Sequence, residues 1–132
     1  MTERKIVYSL NRIKACKQNG FLHEGLLKSY QLNVNLIKFI LSRSSSGSIS
    51  FEDKKVKTVV NDFLEEINSN EKMRTIINKR SLKSLKPWLA KMDSFFKELK
   101  YGHLPNASAL QDETEKIFGI LKISANKLFV SK

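Results

Sequence analysis

The chain has one cysteine, Cys16. That excludes an intramolecular disulfide and any multi-cysteine metal site, and it fits a reducing compartment. Proline and glycine are scarce, at two and five residues of 132, too few for a protein built of many short strands and tight turns. Neither a P-loop nor a GxGxxG pattern occurs, so the glycine-rich phosphate cradles of nucleotide enzymes are not expected. HExxH and CxxC are also missing, and His23 and His103 stand far apart, so neither a metal nor another cofactor is expected. His23 is followed by Glu24, but adjacent residues point to different sides of a helix and do not make a metal site.

No apolar run reaches the roughly 20 residues that a membrane span requires. The best candidate, Leu36-Ile37-Lys38-Phe39-Ile40-Leu41, is broken by Lys38. The start, Met1-Thr2-Glu3-Arg4-Lys5, lacks the apolar core of a signal peptide. The expected location is therefore cytoplasmic, with no membrane partner. Acidic residues are also in short supply, 13 against 24 Lys and Arg, which leaves a net charge of +11.

What is present is a good deal of core-forming material. A hydrophobic fraction of 41% with eight Phe marks a folded globule rather than a disordered basic tail. A chain of 132 residues can bury a continuous core unaided, and residues 1–132 are expected to form a single helical-bundle domain.

The 3.6-residue apolar period predicts five helical segments. The first covers about residues 2–19, with Ile6, Leu10 and Ile13 on one face and Asn19-Gly20 as its stop. The second covers about residues 21–43. Leu26, Tyr30, Val34, Ile37 and Leu41 form its main face, but Leu27, Leu36, Phe39 and Ile40 spill onto others, as a central helix would require. Residues 42–50 hold six Ser and one Gly and read as a loop. Ser50 is placed to cap a third helix, with Asp53 as the acidic member of a capping box and Val56, Val60, Phe63 and Ile67 on the buried face.

Asn68-Ser69-Asn70 reads as a turn. Residues 71–78 have the makings of a short helix that packs Met73, Ile76 and Ile77. The fourth main helix runs to Tyr101 and starts either near Lys79, with a kink at Pro87, or at Ser84, with Pro87 in its first turn. Gly102 stops it. Asn106 or Ser108 caps the last helix, which covers about residues 107–130 and buries Leu110, Ile117, Leu121 and Leu128. No segment shows the strict alternation of a strand. The expected fold class is all-α, an antiparallel up-down bundle of four to five helices joined by short loops.

Most of the surplus charge lies between Lys72 and Lys100, where nine basic residues face only Asp93 and Glu98. On a helical projection Lys79, Lys83, Lys86 and Lys97 fall within about 60° of one another, with Arg80 adjoining. They lie opposite an apolar face of Leu82, Leu85, Leu89, Met92, Phe96 and Leu99, widened by Trp88 and Phe95. A stripe of cations spaced by helical turns can track phosphates, and it can equally be a solvated face. A second basic group, Arg4, Lys5, Arg12, Lys14 and Lys17, lies on the first helix. Trp88, Phe95 and Phe96 have core spacing rather than the exposure that base stacking demands. Asp62, Glu65 and Glu66 form an acidic group on the third helix, either solvated or a counterpart to the basic stripe.

His103 follows Lys97 by six residues, just past the end of that helix. An imidazole there suits general acid–base chemistry on RNA, with Lys97 stabilising the charge that builds on phosphorus. It equally suits capping of carbonyls at the helix C-terminus.

The layout resembles a known family. One amphipathic helix ends at Asn19-Gly20, and a second opens Phe21-Leu22-His23-Glu24-Gly25-Leu26-Leu27-Lys28-Ser29-Tyr30-Gln31. A late helix then runs into a histidine ahead of a final helix. Over most of its length the chain is similar to the HEPN-type domains (higher eukaryote and prokaryote nucleotide-binding). The resemblance implies an antiparallel helical bundle, often a homodimer, and in active members a metal-independent endoribonuclease. Those members carry an arginine, commonly followed by Asn, Asp or His, and a histidine a few residues on. The matching stretch here is Lys97-Glu98-Leu99-Lys100-Tyr101-Gly102-His103. Lysine replaces the arginine and lacks its planar fork for gripping a phosphate in two places. That departure argues against nuclease activity and leaves open a binding-only relative; the alternatives are a degenerate metal-independent endoribonuclease using His103 with Lys97, or an accessory or homodimeric interaction subunit. The expected function is a non-catalytic basic module that binds nucleic acid or an acidic protein, with Lys79, Arg80, Lys83, Lys86 and Lys97 as the contact residues.

Overall fold

A computed structural model describes residues 2–44, 54–102 and 106–130. Six α-helices form, α1 (Glu3–Gln18), α2 (Leu22–Ser44), α3 (Val56–Ser69), α4 (Glu71–Ile76), α5 (Leu85–Lys100) and α6 (Ser108–Val130), with a 3₁₀ turn at Lys79–Leu82. Among the described residues there is no strand, and the fold is all-α.

The helix ends follow from local chemistry. Thr2 caps α1 by accepting a hydrogen bond from the Lys5 amide. At its other end Gly20 has φ +78°. The Phe21 amide donates to the Cys16 carbonyl and the Gly20 amide to that of Lys17, the two bonds that close a helix through a left-handed glycine. Gly102, φ +82°, follows the end of α5, its amide donating to the Leu99 carbonyl. Asn70 both ends α3 and begins α4, its side-chain oxygen accepting from the amides of Lys72 and Met73. The third helix starts at Val56 with Lys55 as its flanking residue, not at Ser50. Ser50 and Asp53 lie outside the described residues. No helix of the described residues is long and apolar enough to cross a membrane.

The core is one connected cluster drawn from every helix. α2 runs through its centre, packing against α1, α3 and α6. Leu26, Leu36, Ile37 and Ile40 are wholly buried, which explains why its apolar positions cover more than one face. Gly25 lets α1 approach closely, because a Cβ there would sit 3.3 Å from that of Cys16. Cys16 is itself a buried packing residue. Polar side chains set how α2 lies along α6. The Asn33 amide donates to the Thr114 carbonyl at 3.0 Å, and the Gln111 amide to the Ser29 hydroxyl at 3.0 Å. Phe39 stacks on Phe129 farther along. These pairs advance along both helices in the same sense.

α5 buries Leu85, Trp88, Leu89, Met92 and Phe95, while Phe96 and Leu99 flank the core. Trp88 is fully buried, and its indole N–H donates to the Thr114 hydroxyl at 2.8 Å. That hydroxyl in turn donates to the Leu110 carbonyl. Tyr30 meets Trp88 and, edge-on, Phe96. Burial pushes the Tyr30 phenol above its ordinary 10.0, and the charge of Asp93 adds to the rise.

Candidate anion-binding groove

The basic stretch is not one helix. The chain leaves α4 after Ile76, makes the 3₁₀ turn, and enters α5 only at Leu85. Ser84 precedes the first helical residue, and Pro87 stands in the first turn, where its missing N–H removes no intrahelical bond. The kink at Pro87 offered as one alternative by the sequence is not formed. A projection of Lys79 to Lys97 on a single helix therefore misplaces its first members. Lys79 belongs to the 3₁₀ turn, and its side chain lies outside the described residues.

The turn brings Arg80, Lys83 and Lys86 to the wall of a groove of about 390 Å³. Leu64, Ile67 and Asn68 of α3 complete it, with Leu82 in its lining. Ile67 and Leu82 are buried and Leu64 is half-buried, so the groove has an aliphatic floor. Asn78 fixes the turn, its side-chain oxygen accepting from the Arg80 amide at 2.9 Å. All three cations are exposed. None forms an ion pair within the described residues.

Several other cations are already engaged. Lys91 binds Glu113 at 2.9 Å, Lys17 binds Glu115 at 2.7 Å, and Lys54 binds Asp62 at 3.3 Å. The Arg12 guanidinium donates to the Tyr8 hydroxyl and lies over its ring. Within the chain, no ion pair among the described residues joins the acidic group of α3 to the groove cations. Asp62 pairs with Lys54, and the Glu66 carboxylate accepts from the Asn70 amide.

Lys97 lies apart from this cluster. Eleven residues of helix separate it from Lys86, roughly 16 Å of rise. The structure thus brings together three of the five basic residues singled out by sequence and leaves Lys97 on its own. His103, the other half of the candidate catalytic pair, lies outside the described residues. The second basic group is on α1, whose Lys17 reaches Glu115, while Lys91 of α5 reaches Glu113. Residues two apart face opposite sides of a helix, so Lys17 and Lys91 reach α6 from different sides.

His23 lies against Phe95, ring centroids 5.7 Å apart. Among the described residues no group of three or more His, Cys, Asp or Glu is arranged to hold a metal ion. Trp88 and Phe95 are interior and offer no stacking platform. Sequence reasoning missed the α3 wall. Its one signal was Leu64, an apolar residue at the margin of the Val60–Phe63–Ile67 face. Compared with known proteins, the chain matches no family model, no curated protein and no solved structure.

Proposed function

We propose that this protein is a non-catalytic helical module that binds an anionic partner, nucleic acid or acidic protein, through Arg80, Lys83 and Lys86. The observation that carries this reading is the gathering of three exposed, unpaired cations around one groove, while Lys17, Lys54 and Lys91 are neutralised by carboxylates. Uncompensated like charges repel one another and add nothing to folding, so their collection on one wall is accounted for by a ligand of opposite sign. No catalytic step is part of the proposal, because the candidate pair puts lysine where HEPN-type nucleases have arginine.

The finer architecture belongs to the same reading. We take α1, α2, α5 and α6 as an antiparallel up-down bundle with α3 and α4 set against it. The pairings of Trp88 with Tyr30 and of Phe95 with His23 support it, since they run in opposite senses along α5 and α2, and an up-down order of these four helices leaves α2 and α6 parallel, as their own pairings are.

Elution from a heparin column tests the binding reading. The triple variant Arg80→Ser/Lys83→Ser/Lys86→Ser should elute at distinctly lower salt than the wild type. A control with the same net charge, Lys5→Ser/Lys14→Ser/Lys57→Ser, removes three exposed cations elsewhere and should elute close to the wild type. Equal elution of the two triples would reduce the attraction to net charge alone and end the proposal.

A further inference from the structure

We infer that the groove between α3 and the 3₁₀ turn seats a short segment of a partner protein in which an apolar side chain is flanked by Asp or Glu. The inference rests on the anion-binding reading above and names the partner's class. Three observations select a peptide over a nucleic acid. First, the groove floor is aliphatic, built on Leu64, Ile67 and Leu82. A phosphodiester has no apolar group to place there, whereas a Leu, Ile or Met side chain fills it and leaves water. Second, among the described residues no aromatic side chain lines the groove, so an unpaired base finds no ring there to stack on. Third, among the described side chains the cationic wall is short. Arg80, Lys83 and Lys86 recur every third residue and then stop. Lys91 is held by Glu113, and Lys97 lies roughly 16 Å beyond Lys86. A nucleic-acid backbone calls for a longer track of contacts, while two or three carboxylates around one apolar residue match this wall in length and sign. Asn68, exposed at the α3 edge, presents an amide able to bond the peptide backbone.

Fluorescence anisotropy with three labelled probes tests this. The first is a short peptide with one leucine between Asp-Glu pairs. The second replaces that leucine with serine, and the third is oligouridylate of similar charge. The leucine peptide should bind roughly tenfold or more tightly than the serine peptide, the effect of burying one leucine, and more tightly than the oligouridylate. In Leu64→Ser the preference for leucine should largely vanish, with the near-ultraviolet circular dichroism of buried Trp88 reporting that the fold persists. Should that variant unfold, Asn68→Glu places a carboxylate at the groove mouth and should weaken the leucine peptide several-fold; unchanged affinity there would overturn the inference. Equal binding of the two peptides would overturn it too, yet leave the anion-binding reading standing if both weaken in the Arg80/Lys83/Lys86 triple variant. Tightest binding by oligouridylate would name nucleic acid as the partner instead. No binding by any probe would end both readings.

Discussion

At the scale of single residues, the interior is held by a few polar contacts that apolar spacing does not reveal. Trp88 could be read as core from its position on the helix. That its indole N–H needed an acceptor, and that Thr114 of a helix twenty-six residues later supplies one at 2.8 Å, depended on tertiary packing. Asn33, Ser29 and Gln111 are equally buried, although their residue types are usually found at the surface. The arrangement makes a definite demand on Thr114. Thr114→Val keeps the shape but removes the acceptor, leaving the indole N–H buried without a partner. The expected loss is about 1–3 kcal/mol of unfolding free energy, measured by urea denaturation. A variant as stable as the wild type would show that the bond contributes nothing net.

At the scale of the helices, much was legible because caps and stops are local. Asn19-Gly20 and Gly102 ended helices as their residue types require, and Pro87 fell in a first turn. The faces of α3 and α4 buried Val60, Phe63, Ile67, Met73 and Ile76, as their spacing indicates. The break between Leu82 and Leu85 was harder to see. Both residues are buried, and their spacing is consistent with one helix; the Asn78 side chain, bonded to the Arg80 amide, sets a 3₁₀ turn there instead, and that turn packs against α6. That break lies beside the groove, so a projection of Lys79 to Lys97 on one helix gave these residues the wrong geometry.

The two glycines inside helices test packing at this scale. Gly119 of α6 has open space where a Cβ would go, while at Gly25 of α2 the Cys16 Cβ would be 3.3 Å away. Gly119→Ala should therefore gain about 0.5–1 kcal/mol from reduced backbone entropy of the unfolded chain and better helix propensity. Gly25→Ala should forfeit that gain and end less stable than Gly119→Ala, because α1 must shift to admit the methyl. Equal stabilisation of both in urea melts would mean that the α1–α2 contact yields freely.

For the whole molecule, the net charge of +11 is unevenly distributed in function. Part of it is neutralised by Glu113, Glu115 and Asp62, and part is held on α1. At Arg80, Lys83 and Lys86 it is left facing a groove with an aliphatic floor. The sequence displayed this surplus but not which cations would be free, since that depends on where acidic residues of other helices come to lie. The most direct test is a ¹H–¹⁵N correlation spectrum of the labelled protein titrated with a short heparin oligosaccharide at low salt. Shift changes should be largest at the amides of Leu64, Asn68, Arg80, Lys83 and Lys86. Changes concentrated on α1 at Arg4, Lys5, Arg12 and Lys14, or spread evenly over all the lysine-bearing faces, would contradict the assignment of the groove as the binding site.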